Sequence, residues 1–469
     1  MENVSESNLT GKDIMPVKFE ERTMTSWGFF VLWIGIAVQL VAFIVGAQMY
    51  PSLSPGMILL AAFIGNGITA VICVLTGDIG IRYGIPYTVY IRACFGYLGT
   101  HVPGVIRACP AIFWFGFQTW IGAYAINEII RVSTGFNHLM LWTIVFGAVQ
   151  ILGTALGWKA ILKLEWIAAP VIVIVGFILE YEILRTYHLS VGKLLTLPGK
   201  GGGGMTFSMA VMAQMGTYIT LALNIPDFTR NMRAPARGGW WKMNRGSAWA
   251  QPTGLILSMV VFVFIGMTSG VATGDWNPID ILVKIFQHNT FLMILGLLFV
   301  LMAQWAANSP ANLLPPALII SNFSPRKISF TLGCIVAGVV GLVAMPWSFA
   351  NYVSQILIVI SALLGPVAGI MITDYYLLRK RKINVNELYR PGGQYSYWKN
   401  INPAGVIAYV PGIISGFLSS TYGFVLALVV SSVLYYILMK FWVARVYPQP
   451  EILTSKKLKP NDLYVDTEV

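Results

Sequence analysis

Long apolar runs recur along the whole chain, separated by short stretches rich in Arg, Lys, Gly and Pro. They cover roughly 26–50, 56–80, 102–130, 139–157, 162–184, 205–229, 248–272, 290–318, 328–345, 353–378, 404–421 and 423–446. A bilayer core of about 30 Å takes ~20 apolar residues per helix. Backbone polar groups cannot stay unpaired in lipid, so each run is expected to be a spanning helix. The expected fold is an all-α polytopic membrane protein with twelve transmembrane helices.

Composition agrees. Of 469 residues, 56% are hydrophobic and 11% charged, too few charges to clothe a soluble fold of this length. The first apolar run continues into a full-length span, so no cleavable signal peptide is expected. The formal charge of +12 is no sign of a nucleic-acid partner, because the basic residues sit mostly in loops between spans. Arg82 and Arg92, Lys159 and Lys163, then Arg230, Arg233, Arg237, Lys242 and Arg245 fall in alternate loops. So do Arg326 and Lys327, and Arg379, Lys380, Arg381, Lys382 and Arg390. The opposite loops hold fewer, apart from Arg185, Lys193 and Lys200. By the positive-inside rule both termini are expected in the cytoplasm. The tail after Tyr447 is expected to be flexible.

A carrier of small polar solutes needs polar groups at mid-membrane depth, and broken helices supply them. Span one holds Gly35 and Gln39 near its middle and Gly46 beyond. Span six holds Gly216 and Thr217, then Asn224, Pro226 and Asp227. Each glycine serves close packing as readily as a break. On span three, Trp114 and Gln118 are four apart and share a helix face. An indole stacks on a flat ring and an amide pairs with ring N–H and C=O groups; equally, the two are core packing and an interhelical hydrogen bond. Span eight carries Gln304, Asn308, Ser309, Pro310, Asn312, Pro315 and Pro316, expensive in an apolar span unless they face a cavity or a partner.

The carboxylates Asp78, Glu128 and Glu165 lie near span ends, within reach of Arg82, Arg131 and Lys163. Asp227 precedes Arg230 by three, the spacing of a surface pair, and Asp374 precedes a basic run. Asp78, Glu165 and Asp227 are also candidates to carry protons. The four histidines fall at loops or span ends, and no HExxH, P-loop or GxSxG occurs. The four cysteines show no CxxC spacing. No enzyme, cofactor or metal is expected. The glycines of 201–204 read as a flexible connector.

Several stretches together resemble a known family: Arg82-Tyr-Gly-Ile-Pro86, Arg92-Ala-Cys-Phe-Gly96, Trp114-Phe-Gly-Phe-Gln-Thr-Trp120, Gly274-Asp-Trp-Asn-Pro278, Asn308-Ser-Pro-Ala-Asn-Leu-Leu314, Gly365-Pro-Val-Ala-Gly-Ile-Met371 and Asp374-Tyr-Tyr-Leu-Leu-Arg379. The chain resembles the first family of nucleobase–cation symporters, which take up purines, pyrimidines, allantoin and hydantoins, and above all its bacterial sodium–hydantoin carrier. The likeness runs from about residue 25 to 445. It implies the leucine-transporter fold, two inverted five-helix repeats plus two helices, with a substrate site between spans one, three, six and eight. Trp114 would stack on the ring, Gln118 and Asn312 would bond to it, and Gln39 would line it. Where the hydantoin carrier has Gly-Trp on span six, this chain has Thr217-Tyr218. In sodium-coupled members, ion-holding carbonyls fall at Gly35, Val38 and Ala303, and a Ser-Thr hydroxyl pair falls on Ala306-Ala307, which has no side-chain oxygen. Sodium is therefore not expected as a partner, and protons are the alternative.

The resulting map is a cytoplasmic segment 1–25, a first repeat 26–185, a second repeat 205–380, two helices over 404–446 and a cytoplasmic tail 447–469. The expected function is import of a small planar cyclic amide or ureide across a cell membrane by alternating access. The alternative is a solute-sensing receptor on the same fold.

Overall fold

The computed structural model describes residues 7–453, apart from 39, 202–203, 237, 276 and 420. The expectations placed on Gln39, Arg237, two of the connector glycines and residues 454–469 thus fall outside the described residues. The helices are α1 (Ser26–Ala37), α2 (Leu40–Met49), α3 (Pro55–Tyr83), α4 (Tyr87–Phe95), α5 (His101–Thr134), α6 (Leu139–Ala155), α7 (Trp158–Thr186), α8 (Val191–Thr196), α9 (Phe207–Thr229) and α10 (Trp240–Thr273). They continue as α11 (Pro278–Ile285), α12 (Thr290–Asn308), α13 (Leu314–Phe323), α14 (Phe330–Val343), α15 (Val353–Ile372), α16 (Pro403–Phe417), α17 (Gly423–Leu438), α18 (Ala444–Val446) and α19 (Pro450–Leu453).

Six stretches are long and apolar enough to cross a bilayer, α1 and α2 together make a seventh, and α6, α14 and α16 are shorter apolar helices. The remaining long helices, α5 and α9, are less apolar because they carry buried polar groups: Gln118 and Asn127 on one, Gln214, Asn224 and Asp227 on the other. This is a polytopic all-α membrane protein.

The first span is broken between α1 and α2, with a bend of 53°. Val38 leaves helical geometry at φ −82° and ψ 80°, although its N–H still reaches the Ile34 carbonyl. Gly46 is not part of the break. A side chain there would collide with the Val263 carbonyl, so it lets α2 lie against α10. Span six differs from expectation, since α9 runs unbroken through Gly216 and Thr217. A Cβ at Gly216 would sit 2.8 Å from the Ser361 hydroxyl, so this glycine serves packing against α15. Span eight is distorted rather than broken. Ser309–Leu313 form a π-turn between α12 and α13, where Pro310, Pro315 and Pro316 supply no N–H to a regular ladder.

One face of the bundle gathers the basic loops, and the N-terminal segment lies across it. The Val17 amide meets the Gly84 carbonyl at 3.0 Å, Arg230 donates to the Asp13 carbonyl at 3.0 Å, and the Phe330 amide donates to Asp13 Oδ2 at 2.9 Å. Gly84 holds φ +68°, which an L side chain rarely adopts. Arg22 donates to the Ile81 carbonyl, and its burial pushes the guanidinium down to about 10. α4, invisible in the apolar pattern, is wholly buried at this face, where Arg92 donates to Asn322 and to the Leu9 and Leu388 carbonyls. The start of the tail is packed, contrary to expectation. Gln449 and Glu451 are buried, Arg379 donates to Gln449 Oε1 at 3.1 Å, and Tyr395 donates to Glu451 Oε1 at 2.7 Å.

Candidate functional site

Trp114 and Gln118 are buried on one face of α5, 6% and 2% exposed. Phe113 and Phe117 meet the Trp114 indole edge-on, at centroid separations of 5.4 and 5.6 Å. Both rings stand nearly perpendicular to the indole plane. On α9, Tyr218 donates to the Ile36 carbonyl at 2.8 Å and meets Trp33 edge-on at 6.0 Å. The phenol thus ties α9 to a carbonyl that the α1–α2 break releases. Thr217 donates its hydroxyl proton to the Ala213 carbonyl at 3.2 Å, within its own helix. What it can offer a ligand is a methyl group and an acceptor oxygen.

The π-turn is anchored to α5 beside Trp114 and Gln118. Asn308 Nδ2 donates to the Phe115 carbonyl (3.0 Å), Thr119 Oγ1 (3.1 Å) and Gln150 Oε1 (2.9 Å), and Gln150 donates back to Thr119 at 3.0 Å. Asn312 Nδ2 then donates to Asn308 Oδ1 at 2.9 Å, which leaves Asn312 a second N–H and its carbonyl oxygen. Asn308 is therefore an anchor and Asn312 the end of the relay. Replacing Gln150 with leucine should cost roughly 1 kcal/mol of stability, the scale of an interhelical hydrogen bond in a membrane bundle. The check is the unfolding midpoint in detergent, expected to fall while substrate affinity holds.

The carboxylates separate sharply. Asp78 is buried and ion-paired to Arg381 at 2.8 Å rather than to Arg82, with Tyr375 and Asn244 donating as well. Asp227 is no surface residue: it is 1% exposed and accepts from the Tyr87 amide and from Asn224, both at 2.8 Å. Glu128 pairs with Arg131 at 2.7 Å as expected. Asp374 is buried against Arg379 at 2.8 Å, with Tyr90 and Tyr435 donating. Glu165 is fully buried, is not paired with Lys163, and neither of its oxygens has a hydrogen-bond partner among the described residues. Its carboxyl lies directly against Gly35, where any side chain on α1 would collide with it. Glu180, also on α7, is 7% exposed and lies beside the Thr268 hydroxyl of α10. Gly35, Val38, Ala303, Ala306 and Ala307 are all buried, the first two on or just after α1 and the others on α12, which packs against α1.

The family model described as permease for cytosine/purines, uracil, thiamine and allantoin matches residues 16–443. This chain belongs to that permease family. The chain is 36% identical to the hydantoin permease of Microbacterium maritypicum over 92% of this chain and 89% of that one. The allantoin permease of Bacillus subtilis is 30% identical, covering 86% and 85%. Among solved structures, Mhp1, a nucleobase-cation-symport-1 family transporter in a closed conformation with bromovinylhydantoin bound, superposes with a TM-score of 0.90 at 34% identity, covering 94% and 97%. Its inward-facing conformation gives 0.86 at 35% identity, covering 94% and 95%. The permease is thus a secondary transporter working by alternating access, and neither an enzyme nor a receptor finds support among its relatives.

Sequence reasoning assigned Trp114, Gln118 and Asn312 to one site, and the structure ties Asn312 through Asn308 to Phe115 and Thr119, the residues that follow Trp114 and Gln118 on α5. It missed Glu165. A glutamate seven residues into a span looks solvated when read locally, and only α1 crossing α7 shows that its neighbour is Gly35.

Proposed function

We propose that this permease imports a small planar cyclic amide or ureide of the nucleobase, allantoin or hydantoin class. The substrate stacks on Trp114 and bonds to Gln118 and Asn312, with Gln39, Thr217 and Tyr218 completing the site. What carries the reading is the indole and amide on one face of α5, with the Asn308–Asn312 relay fastened to the same turn. The repeats 26–185 and 205–380 rock about this site, the pair over 404–446 lies outside them, and both termini face the cytoplasm of the cell membrane. Accumulation of labelled uracil, allantoin and hydantoin in proteoliposomes tests the function; binding without accumulation would return the receptor reading. Gln118→Ala and Asn312→Ala should each weaken binding by roughly 1 kcal/mol, the net worth of one hydrogen bond.

Selectivity follows from span six. Tyr218 is held by its bond to Ile36, and Thr217 stands where the hydantoin carrier has glycine. Hydantoins with a bulky aromatic 5-substituent should fit poorly, and uracil, cytosine, allantoin or unsubstituted hydantoin well. Thermal shifts across such a panel decide it; strong binding of a benzyl-type hydantoin, with none of the small rings, overturns the assignment.

Coupling is assigned to protons through Glu165 rather than to sodium. Sodium favours several oxygen ligands, and Ala306 and Ala307 supply no side-chain oxygen. A carboxyl buried without a partner is tolerable only when a proton or a cation neutralises it. Glu165 meets that condition beside the α1–α2 break, whereas Asp78 and Asp227 are already hydrogen-bonded. Replacing sodium with choline should leave uptake unchanged, and an inward proton gradient should raise it. A several-fold loss without sodium would mean that backbone carbonyls and Glu165 hold the metal ion together.

A further inference from the structure

Arg107 is fully buried in α5, and none of its three guanidinium nitrogens has a hydrogen-bond partner among the described residues. It stands seven residues before Trp114 and eleven before Gln118. At about 100° per residue the three lie within roughly 20° of one line, on one stripe of the helix. At a rise of 1.5 Å per residue Arg107 is about 10 Å nearer the basic face than Trp114. Asp227 on α9 and the neutral phenol of Tyr87 at the start of α4 lie within electrostatic reach of it. Tyr87 also binds Asp227 through its amide, while its own hydroxyl has no partner among the described residues.

A guanidinium carries five N–H donors in a planar fork. Buried with none of them used, it is among the costliest arrangements a membrane bundle can hold, and such residues mark solute pathways. Packing alone would have favoured an apolar residue at 107. Asp227 keeps lone pairs free after accepting from Tyr87 and Asn224. Donors and an acceptor thus lie on the basic-face side of Trp114, in the combination that a cyclic imide or ureide presents in reverse.

We propose that Arg107, with Asp227, forms a second substrate station on the basic-face side of the Trp114 site. Its guanidinium takes the ring carbonyl oxygens, and Asp227 takes a ring N–H, once the elements covering that side part. The station rests on the substrate class proposed above. It explains why the donors stand unused while that side is covered. The ring would leave the indole and be held once more before release, so the step between the two sites requires no fully solvated intermediate.

The test uses the full chain in right-side-out and inverted membrane vesicles, with unsubstituted hydantoin and its one-carbonyl analogue 2-imidazolidinone as probes. Arg107→Gln should raise the half-saturating hydantoin concentration from the basic face by about ten-fold, as for loss of a hydrogen bond to a charged donor. From the opposite face that concentration should hold, as should equilibrium binding in detergent. Arg107→Lys should not rescue it, because an ammonium keeps the charge and loses the fork. Full rescue by lysine would overturn the station in favour of a charge that merely balances Asp227. Equal changes from both faces would also overturn it, since they mean a structural role. Should Arg107→Gln fail to fold, the wild-type protein still decides: 2-imidazolidinone should lose more affinity from the basic face than from the other, and equal losses refute the station. Hydantoin that neither binds nor enters through the wild-type protein refutes the substrate class itself, a failure distinct from these.

Discussion

Trp114→Ala should weaken substrate binding by about 1–3 kcal/mol, the range for one base stacked on one aromatic side chain. That is a factor of roughly 5 to 150 in affinity. The indole is held edge-on by Phe113 and Phe117, so truncation removes the platform while both flanking rings remain to keep α5 in place. The Asn308 relay would also survive, since it bonds to the Phe115 carbonyl and Thr119 and not to Trp114. Polar recognition by Gln118 and Asn312 should therefore persist on a ring that has lost its stacking surface. Trp114→Phe should keep part of the affinity. Competition for labelled uptake across the small-ring panel measures the effect. Uptake unchanged in Trp114→Ala, at normal expression, takes Trp114 out of the site.

How far such a site can be read from sequence depends on whether the informative contacts are local. The spans, the Trp114–Gln118 face and the polar load of span eight were legible because helical spacing alone places them. The break in span one was legible as glycine and amide in an apolar run, but its position after Ala37 was not. Span six read as interrupted at Gly216, yet the glycine is a packing site, because what decides the matter is Ser361 on a helix far along the chain. α4 escaped notice since nine residues cannot cross a bilayer, and Arg92 within it read as a loop charge. The carboxylates show the limit most clearly. Local neighbours suggested Arg82 for Asp78 and Lys163 for Glu165, yet folding gives Asp78 to Arg381 and leaves Glu165 with none among the described residues. A charge takes its partner from whichever helix crosses it, and crossing partners are not written in the adjacent residues.

Glu165→Gln should abolish accumulation against a gradient while leaving substrate exchange intact. The glutamine has the shape of the protonated acid but can neither bind nor release a proton. Replacing a buried, unpartnered carboxyl by an amide of the same shape removes no hydrogen bond, so the fold should tolerate it. The contact with Gly35 should carry the effect to the substrate. The α1–α2 break lies three residues further on, and the Ile36 carbonyl next to Gly35 accepts from Tyr218. A proton on Glu165 and a ring beside Tyr218 therefore bear on the same half-turn of α1, and reciprocal coupling between two ligands requires such a shared element. With the acid intact, an inward proton gradient should drive labelled substrate above its external concentration in proteoliposomes. With glutamine, the internal level should stop at equality, and preloaded vesicles should still exchange. Glu180→Gln is the internal control, a second buried carboxyl on the same helix but about 22 Å along it at 1.5 Å per residue. Proton-driven accumulation surviving in Glu165→Gln and failing in Glu180→Gln would move the coupling group to the other end of α7. Survival in both would return the choice to Asp78 and Asp227, whose hydrogen bonds would then have to break in each cycle.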